Sequence, residues 1–140
     1  MPTRLVLDAS VLVKYLLHEE GWEDVKVFFD QAVEGSLELY SIDLALKEIG
    51  SAIQKYSSLG RGKGIAPRIY HQLLSQKIIS YHRQDTSILK EAFEIGLQNE
   101  LSIYDAVYIV LARSLGAELV TSDRRQATVA RTITKVREVR

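Results

Sequence analysis

Short apolar segments alternate with segments of helical spacing along the chain, and this alternation constrains the fold more than any other feature of the sequence. Five segments are patterned as strands, the last as an edge strand: residues 4–8, 37–41, 78–81, 117–121 and 133–139. Seven have helical spacing: residues 10–17, 22–32, 43 to about 59, 67–76, 87–98, 104–115 and a short one from about 124. Strands separated by helices favour βαβ units with parallel strands. The sequence therefore predicts an α/β fold, in which helices flank a central parallel sheet of four to five strands.

The composition limits the chemistry that the chain can carry. With 140 residues, of which 46% are hydrophobic, the chain has the length of one domain and is not intrinsically disordered. It contains no cysteine, which excludes disulfide bonds, a thiol nucleophile and cysteine-ligated metal sites. The first residues hold only a short apolar run, and no segment approaches the roughly 18 apolar residues of a spanning helix. We therefore expect a single cytoplasmic domain, residues 1–140, without a signal peptide or a membrane partner.

Four acidic residues stand out by their positions. Asp8 ends the first predicted strand, and Asp123 lies two residues beyond the strand at 117–121. In open α/β sheets, ligands bind beyond the carboxyl ends of the strands. Glu48 lies on an otherwise apolar or small face of its predicted helix, and Asp105 opens a helix that is almost wholly apolar. If the two strands are neighbours, Asp8 and Asp123 meet at one edge of the sheet.

Each of these acids also has a structural explanation. Asp8 can accept hydrogen bonds from loop amides, and Asp123 can cap the helix that follows it. Ser102 and Asp105 fit the S-x-x-D form of a capping box. Glu48 has the weakest structural explanation, because a helix face that points toward the core rarely tolerates an unpaired carboxylate. Taken singly, the four residues leave structural and catalytic roles open.

Taken together, the acids favour a metal site. Carboxylates that converge on one edge repel one another, and some of them must bind protons unless a cation is present. Oxygen ligands suit Mg²⁺ or Mn²⁺ better than zinc. An ion held in this way activates a water molecule and stabilises the charge that develops during displacement at phosphorus. The pattern indicates metal-dependent phosphodiester chemistry, although spacing alone does not establish it.

Four short motifs follow one another along the chain. They are Val-Leu-Asp-Ala-Ser at 6–10, Asp-Leu-Ala-Leu-Lys-Glu-Ile at 43–49, Tyr-Asp-Ala-Val-Tyr at 104–108 and Leu-Val-Thr-Ser-Asp at 119–123. Each is weak by itself, but all four in this order are specific. The chain resembles the PIN-domain ribonucleases, and in size and motif order it is similar to a VapC-type toxin of a toxin–antitoxin pair. The resemblance covers essentially the whole chain.

The resemblance implies a three-layer PIN-like fold and a single nuclease domain that cuts RNA. It implies that four acids hold Mg²⁺ or Mn²⁺ and act in catalysis: Asp8, Glu48, Asp105 and Asp123. Ser10 and Thr121 match hydroxyl positions beside the first and last acids, where they orient carboxylates and metal-bound water. The resemblance also implies a homodimer and a small antitoxin, one segment of which wraps the toxin and places a basic side chain in the acidic pocket.

The chain departs from the family pattern at three places. Ile42 stands where a proline is common, and Ser51 stands where an asparagine is often found. Asp123 is followed by Arg-Arg-Gln at residues 124–126, so a fifth acid that some relatives carry in this region is absent. These differences bear on the number of metal ions, which the resemblance leaves at one or two.

The charge distribution is more informative than the total charge. The 18 basic and 18 acidic residues cancel, which at first argues against a nucleic-acid partner. Residues 1–48 hold ten acids and four bases, whereas the remainder holds eight acids and fourteen bases, so the two parts carry −6 and +6. The basic part suits RNA phosphates, although a solvated edge strand explains its charged tail equally well. Four residues are candidate substrate contacts: Arg61, Lys63, Arg124 and Arg125.

Two other classes of function stay open at this point. One is a PIN scaffold that binds RNA or protein without cutting, although the presence of four acids that repel one another argues against it. The other is a phospho-accepting signalling domain, which also clusters acids at strand ends. That domain needs a nucleophilic aspartate with a paired acid and a lysine at the end of a later strand, and this pattern is not evident. The sequence therefore favours a Mg²⁺-dependent endoribonuclease.

Overall fold

A five-stranded parallel sheet forms the centre of the molecule. The structure is a computed structural model that describes residues 2–60 and 64–140. The strands are β1 (Thr3–Leu7), β2 (Leu37–Ile42), β3 (Ile79–His82), β4 (Glu118–Thr121) and β5 (Val136–Glu138). Their order across the sheet is β3-β2-β1-β4-β5, and every neighbouring pair is parallel. The predicted α/β fold with a central parallel sheet is confirmed.

β1 lies in the middle of the sheet because its residues are apolar on both faces. Leu5, Val6 and Leu7 are each 0% exposed. In the register of the sheet, Val6 pairs with Tyr40 of β2 on one side and with Leu119 of β4 on the other. A continuous apolar run of this kind is typical of a strand that is covered on both faces. This arrangement places the carboxyl end of β1 between β2 and β4.

Seven helices flank the sheet within the described residues. They are α1 (Ala9–Leu16), α2 (Trp22–Val33), α3 (Leu44–Ser58), α4 (Ala66–Ser75), α5 (Thr86–Asn99), α6 (Ile103–Leu115) and α7 (Arg124–Ala130). Their bounds lie within one or two residues of the segments with helical spacing. In residues 2–60 and 64–140, every helix is too short or too polar to cross a membrane.

Two boundaries differ from the sequence prediction for identifiable reasons. α1 begins at Ala9 instead of Ser10, because the Asp8 carboxylate accepts the Val11 N–H at 3.0 Å and caps the helix directly after β1. β5 covers only the later part of the segment predicted at 133–139. The N–H groups of Ile133 and Thr134 donate to the Ala130 carbonyl at 2.9 and 2.8 Å, which folds these residues against the end of α7 before the strand begins.

The apolar helix α6 packs into the centre of the core, where residues 106–112 are all buried. Ser102 begins the helix by accepting the Asp105 N–H at 3.2 Å, and Gly116 ends it in the left-handed conformation at φ 61°. Gly96 of α5 allows a close approach to the start of α6, because a Cβ there would lie 2.5 Å from the Leu101 carbonyl oxygen. This contact locates the first turn of α6, which carries Asp105.

Candidate active site

The first and last of the four acids lie at the carboxyl ends of two neighbouring strands. Leu7 of β1 pairs with Val120 of β4, and the Asp8 N–H donates to the Val120 carbonyl at 3.2 Å. Asp8 follows β1 directly, and Asp123 lies two residues beyond the end of β4. Since the two strands are neighbours, both acids lie at the same edge of the sheet.

The Asp8 carboxylate is 4% exposed, and hydrogen bonds engage both of its oxygens. Oδ1 accepts the Ser10 hydroxyl at 2.7 Å and the Val11 N–H at 3.0 Å, and Oδ2 lies 2.5 Å from the Thr121 hydroxyl oxygen. Burial raises the pKa of Asp8 to about 6, although the hydrogen bonds from Thr121, Ser10 and Val11 oppose that rise. Ser10 thus contacts the acid beside which the family resemblance places it, whereas Thr121, which the resemblance places beside the last acid, contacts Asp8.

Gln126 of α7 extends the contacts of Thr121 toward α6. Its Nε2 donates to the Asp105 carbonyl oxygen at 2.9 Å, which leaves Oε1 facing the Thr121 hydroxyl at 2.6 Å. The single hydroxyl hydrogen of Thr121 therefore has two acceptors within reach, Gln126 Oε1 and Asp8 Oδ2. Thr121 can donate to only one of these oxygens at a time, so the two acceptors compete for its hydrogen when Asp8 is ionised.

Asp123 is exposed and caps α7. Its Oδ1 accepts the Gln126 N–H at 3.0 Å, and its own N–H donates to the Thr121 hydroxyl oxygen at 3.0 Å. Its structural explanation as a helix cap is therefore correct. The same two hydrogen bonds hold the backbone of Asp123 close to Thr121, which itself contacts Asp8.

Glu48 on α3 is held from across the core by Tyr108 on α6. The Tyr108 hydroxyl, on a side chain that is 2% exposed, donates to Glu48 Oε1 at 2.7 Å. Burial raises the pKa of the half-buried Glu48, the hydrogen bond from Tyr108 lowers it, and the charge of Asp105 raises it. Burial and the contact with Glu48 raise the pKa of Tyr108, so its hydroxyl stays protonated and acts as a donor.

Asp105 connects the other three acids electrostatically. It is half-buried in the first turn of α6, where burial raises its pKa and the charge of Asp123 raises it further. The charge of Asp105 in turn raises the pKa values of Asp8 and Glu48. The four acids therefore act on one another through Asp105.

The four acids suit a hydrated divalent cation better than a tightly caged one. Within residues 2–60 and 64–140, no three acidic, histidine or cysteine side chains come together as a ready-made metal-binding cluster. Mg²⁺ usually keeps several waters and takes only one or two carboxylates directly. The Ser122 hydroxyl oxygen, beside Asp123 in the chain, is buried and has no hydrogen-bond partner among the described atoms. An ion that brings its own water would offset the repulsion that Asp105 exerts on Asp8 and Glu48, so the oxygen donor set fits.

Two of the four candidate substrate contacts, Arg61 and Lys63, lie outside the described residues. Arg124 and Arg125 are exposed and open α7. The Arg125 guanidinium donates to the Glu100 carbonyl oxygen and lies 3.9 Å from the Glu100 carboxylate. Arg125 is therefore tied to the connection between α5 and α6, close in the chain to the first turn of α6.

Sequence reasoning did not assign a role to Tyr108 or Gln126. A weak signal exists for each of them. Tyr108 lies three residues after Asp105, which places the two on neighbouring positions of one helix face. Gln126 is a polar residue on the same face as Ala130, four residues later, and that face is buried. The partners that give these residues their roles are distant in sequence and leave no local pattern.

Comparisons with known proteins agree with the resemblance drawn from the four motifs. The chain is 30% identical over 129 residues to Ribonuclease VapC3 of Pyrobaculum aerophilum, covering 89% of this chain and 92% of that protein. It is 28% identical over 124 residues to Exonuclease VapC9 of the same organism, covering 89% and 84%. The crystal structure of VapBC2 from Rickettsia felis bound to a DNA fragment from their promoter has the same fold, with a TM-score of 0.70 and 12% identity over 99% of this chain and 100% of that chain. The family model of the PIN domain matches residues 5–132, and the chain therefore belongs to the PIN domain family.

Proposed function

We propose that the chain is a Mg²⁺-dependent endoribonuclease and the toxin of a type II toxin–antitoxin system, with residues 1–140 forming one nuclease domain. The observation that carries this proposal is the position of Asp8 and Asp123 at the carboxyl ends of two neighbouring strands, with Asp105 close enough for its charge to act on Asp8 and Glu48. Membership of the PIN domain family supports it, as do the names of two relatives, Ribonuclease VapC3 and Exonuclease VapC9.

Asp8, Glu48, Asp105 and Asp123 would hold Mg²⁺, or Mn²⁺ in its place, and are the proposed catalytic residues. When bound, the ion supplies Lewis-acid activation of water and neutralises charge on the phosphate during an in-line displacement. The chain contributes by holding the carboxylates in place before an ion or a substrate arrives. Ser10 and Thr121 orient Asp8 through their hydroxyl groups.

RNA binding is assigned to basic residues near the acids. Arg124 and Arg125 would contact phosphates, and Arg61 and Lys63 are proposed for the same role. An acidic site repels a polyanion, so nearby cationic side chains are needed to bring the strand to it. Arg124→Ala combined with Arg125→Ala is expected to flatten the salt dependence of RNA affinity, and an unchanged slope would reject the contact.

The decisive test compares a circular RNA with a linear RNA of the same sequence. The purified chain, free of any partner protein, is expected to open the circle in Mg²⁺ and to leave it intact in EDTA. Asp105→Asn should lose this activity, whereas Asp85→Asn, at the exposed cap of α5, should keep it. Cleavage in EDTA or by Asp105→Asn contradicts the metal mechanism. Digestion of the linear RNA alone contradicts endonuclease action and supports an exonuclease.

The proposal includes a small cognate antitoxin, a homodimer and a cytoplasmic location. The similarity to proteins named VapC, and the likeness of fold to VapBC2, support the antitoxin. A small protein encoded beside this chain is expected, and its co-expression should suppress cleavage and yield a stable complex. Light scattering should give about twice the chain mass of 15.8 kDa for the purified protein. A monomeric mass contradicts the homodimer. Cleavage that is unchanged by the neighbouring protein contradicts its role as the antitoxin.

A second candidate function is a PIN scaffold that binds RNA or protein without cutting. The lack of a ready-made metal cluster in residues 2–60 and 64–140 favours it. Such a scaffold needs no cation. RNA binding without Mg²⁺-dependent cleavage, together with a Tm that does not respond to Mg²⁺, would identify it.

A further inference from the structure

Gln126 is a fully buried polar side chain with no role in the function proposed above. It is 0% exposed, and the other buried residues of α7 are the alanines Ala127 and Ala130. Burying an amide is unfavourable unless its polar atoms are hydrogen-bonded, and an apolar side chain of similar length would fill the same space. A glutamine at this position therefore needs specific hydrogen-bond partners.

The polar atoms of Gln126 contact two of the four acids directly and a third through Thr121. Its backbone N–H donates to Asp123 Oδ1 at 3.0 Å, and its Nε2 donates to the Asp105 carbonyl oxygen at 2.9 Å. Its Oε1 lies 2.6 Å from the Thr121 hydroxyl oxygen, which lies 2.5 Å from Asp8 Oδ2. One residue thus joins the end of β4, the first turn of α6 and the cap of α7.

Only a side chain with a donor at one end and an acceptor at the other satisfies these contacts. The Asp105 carbonyl oxygen cannot donate, so the atom that faces it must be a donor. The Thr121 hydroxyl can donate toward an acceptor on the other side. An apolar residue removes both contacts and leaves the Thr121 hydroxyl to Asp8 Oδ2 and the Asp123 N–H, whereas an ionised glutamate sets an acceptor against the Asp105 carbonyl.

We propose that Gln126 is a positioning residue whose side chain sets the relative placement of Asp8 and Asp105, a role that rests on the proposed metal-dependent cleavage. It does not touch substrate. It keeps the start of α6 at a constant distance from the end of β4, so that acids from both elements serve one ion. Residues that orient metal ligands typically change metal affinity or activity by about 10- to 100-fold when they are replaced.

The test separates positioning from general stability. Gln126→Met keeps length and packing but removes the amide, and Ile109→Val, at a 0% exposed position of α6, provides a control that loses only a buried methyl group on the helix that carries Asp105. For each protein, three quantities are measured: the Tm in EDTA, the Mn²⁺ dissociation constant by calorimetry, and kcat and KM for RNA cleavage. Gln126→Asn, which retains a shorter amide, replaces Gln126→Met if the latter does not fold.

Gln126→Met is expected to weaken Mn²⁺ binding and lower kcat by about 10-fold or more, with KM little changed. Ile109→Val should lower the Tm while keeping the wild-type Mn²⁺ affinity and kcat. If Gln126→Met, or Gln126→Asn in its place, binds Mn²⁺ and cuts RNA as the wild type does, Gln126 is structural only and this inference fails while the proposed function stands. If the wild type and Ile109→Val neither bind Mn²⁺ nor cut RNA, the proposed function fails and the inference fails with it.

Discussion

The site consists of two halves that are built in different ways. The strand half lies at the ends of β1 and β4 and comprises Asp8, Thr121, Asp123 and Gln126. The helix half lies on α3 and α6 and comprises Glu48, Asp105 and Tyr108. In the strand half, Asp8 is 4% exposed and has both carboxylate oxygens in hydrogen bonds. In the helix half, Glu48 and Asp105 are half-buried, and Tyr108 reaches Glu48 through one hydroxyl group.

Because the two halves are built differently, mutations in them should affect stability and activity differently. The strand half is held by the sheet backbone and by helix caps, and it keeps a desolvated acid that opposes folding when it is ionised. The helix half depends on one side chain that reaches from one helix to another. We therefore expect changes at Asp8 to move stability and activity in opposite directions. Changes in the helix half should affect activity more than stability.

Asp8→Asn is expected to produce the largest effect. It should abolish most of the RNA cleavage while leaving the strand half folded. Cleavage should fall by more than about 100-fold, because a neutral amide neither attracts a cation nor replaces the carboxylate. The free energy of unfolding in EDTA at pH 7 should rise by about 3 kcal/mol, since asparagine removes a buried charge. Its side-chain oxygen can still accept the Val11 N–H, and its NH₂ can donate to Thr121. RNA cleavage and chemical denaturation measure the two effects.

Asp85→Asn is the matched control for this change. Asp85 caps α5 with the same backbone angles as Asp8, φ −81° and ψ 171°, but it is exposed. Both cleavage and stability should stay close to wild type in this variant. A loss of stability in Asp8→Asn comparable to that of a core mutation would show that the buried charge of Asp8 does not oppose folding.

The pH dependence of stability sharpens the comparison further. The pKa of Asp8 is 3.8 in an unfolded chain and about 6 in the folded, metal-free protein. The folded state therefore binds this proton more tightly than the unfolded chain does. As a result, the contribution of Asp8 to the free energy of unfolding falls as the pH rises from about 4 to about 6, and it stays constant above about pH 6. The free energy of unfolding is measured against pH in EDTA for the wild type and for Asp8→Asn. The difference between the two curves isolates the contribution of Asp8. A difference that grows more favourable to the wild type with rising pH would contradict the raised pKa.

Tyr108→Phe tests the helix half and should have a smaller effect. Without the hydroxyl, Glu48 is free to turn toward solvent, so the Mg²⁺ concentration for half-maximal cleavage should rise by about 10-fold. Stability should change by about 1 kcal/mol or less, because a half-buried carboxylate is readily solvated. Tyr81→Phe is the control, since the Tyr81 hydroxyl is buried without a partner among the described atoms. If the two variants behave alike, the Tyr108 hydroxyl does not position Glu48.

Ser102→Ala should have the smallest effect on cleavage. It removes the cap that accepts the Asp105 N–H, and the free energy of unfolding should fall by about 1 kcal/mol. Cleavage should stay near wild type, because the hydrogen bond from Gln126 and the buried residues 106–112 still locate the start of α6. A loss of cleavage as large as that of Asp105→Asn would show that the cap and the site act as one unit.

The fold and the positions of the four acids were accessible from the sequence because each follows a local rule. Asp8 ends an apolar strand, Asp123 follows another, Asp105 opens an apolar helix, and Glu48 lies on an otherwise apolar or small face of its helix. Alternation of strands and helices then predicts the parallel sheet that brings the strand ends together. Whether β1 and β4 are neighbours depends on topology, and that relation came only with the structure.

The contacts that hold the acids were not accessible from the sequence. Tyr108 and Glu48 are 60 residues apart, and Gln126 and Asp105 are 21 residues apart. Each contact depends on the rotation of a helix about its axis and on how closely two helices pack, and neither quantity is encoded in a local pattern. The shortened β5 has a similar origin, since two N–H groups of its predicted segment bond to Ala130 instead of a neighbouring strand.

The central position of β1 has a consequence for the order of events during synthesis. β1 is made first, yet one of its two neighbours is β4, whose residues are made near the end of the chain. A nascent polypeptide that stops short of β4 holds Asp8, Glu48 and Asp105 but cannot bring Asp123 to them. A site that needs all four acids, as proposed above, can therefore be complete only after residues beyond 123 have been made and β4 has paired with β1.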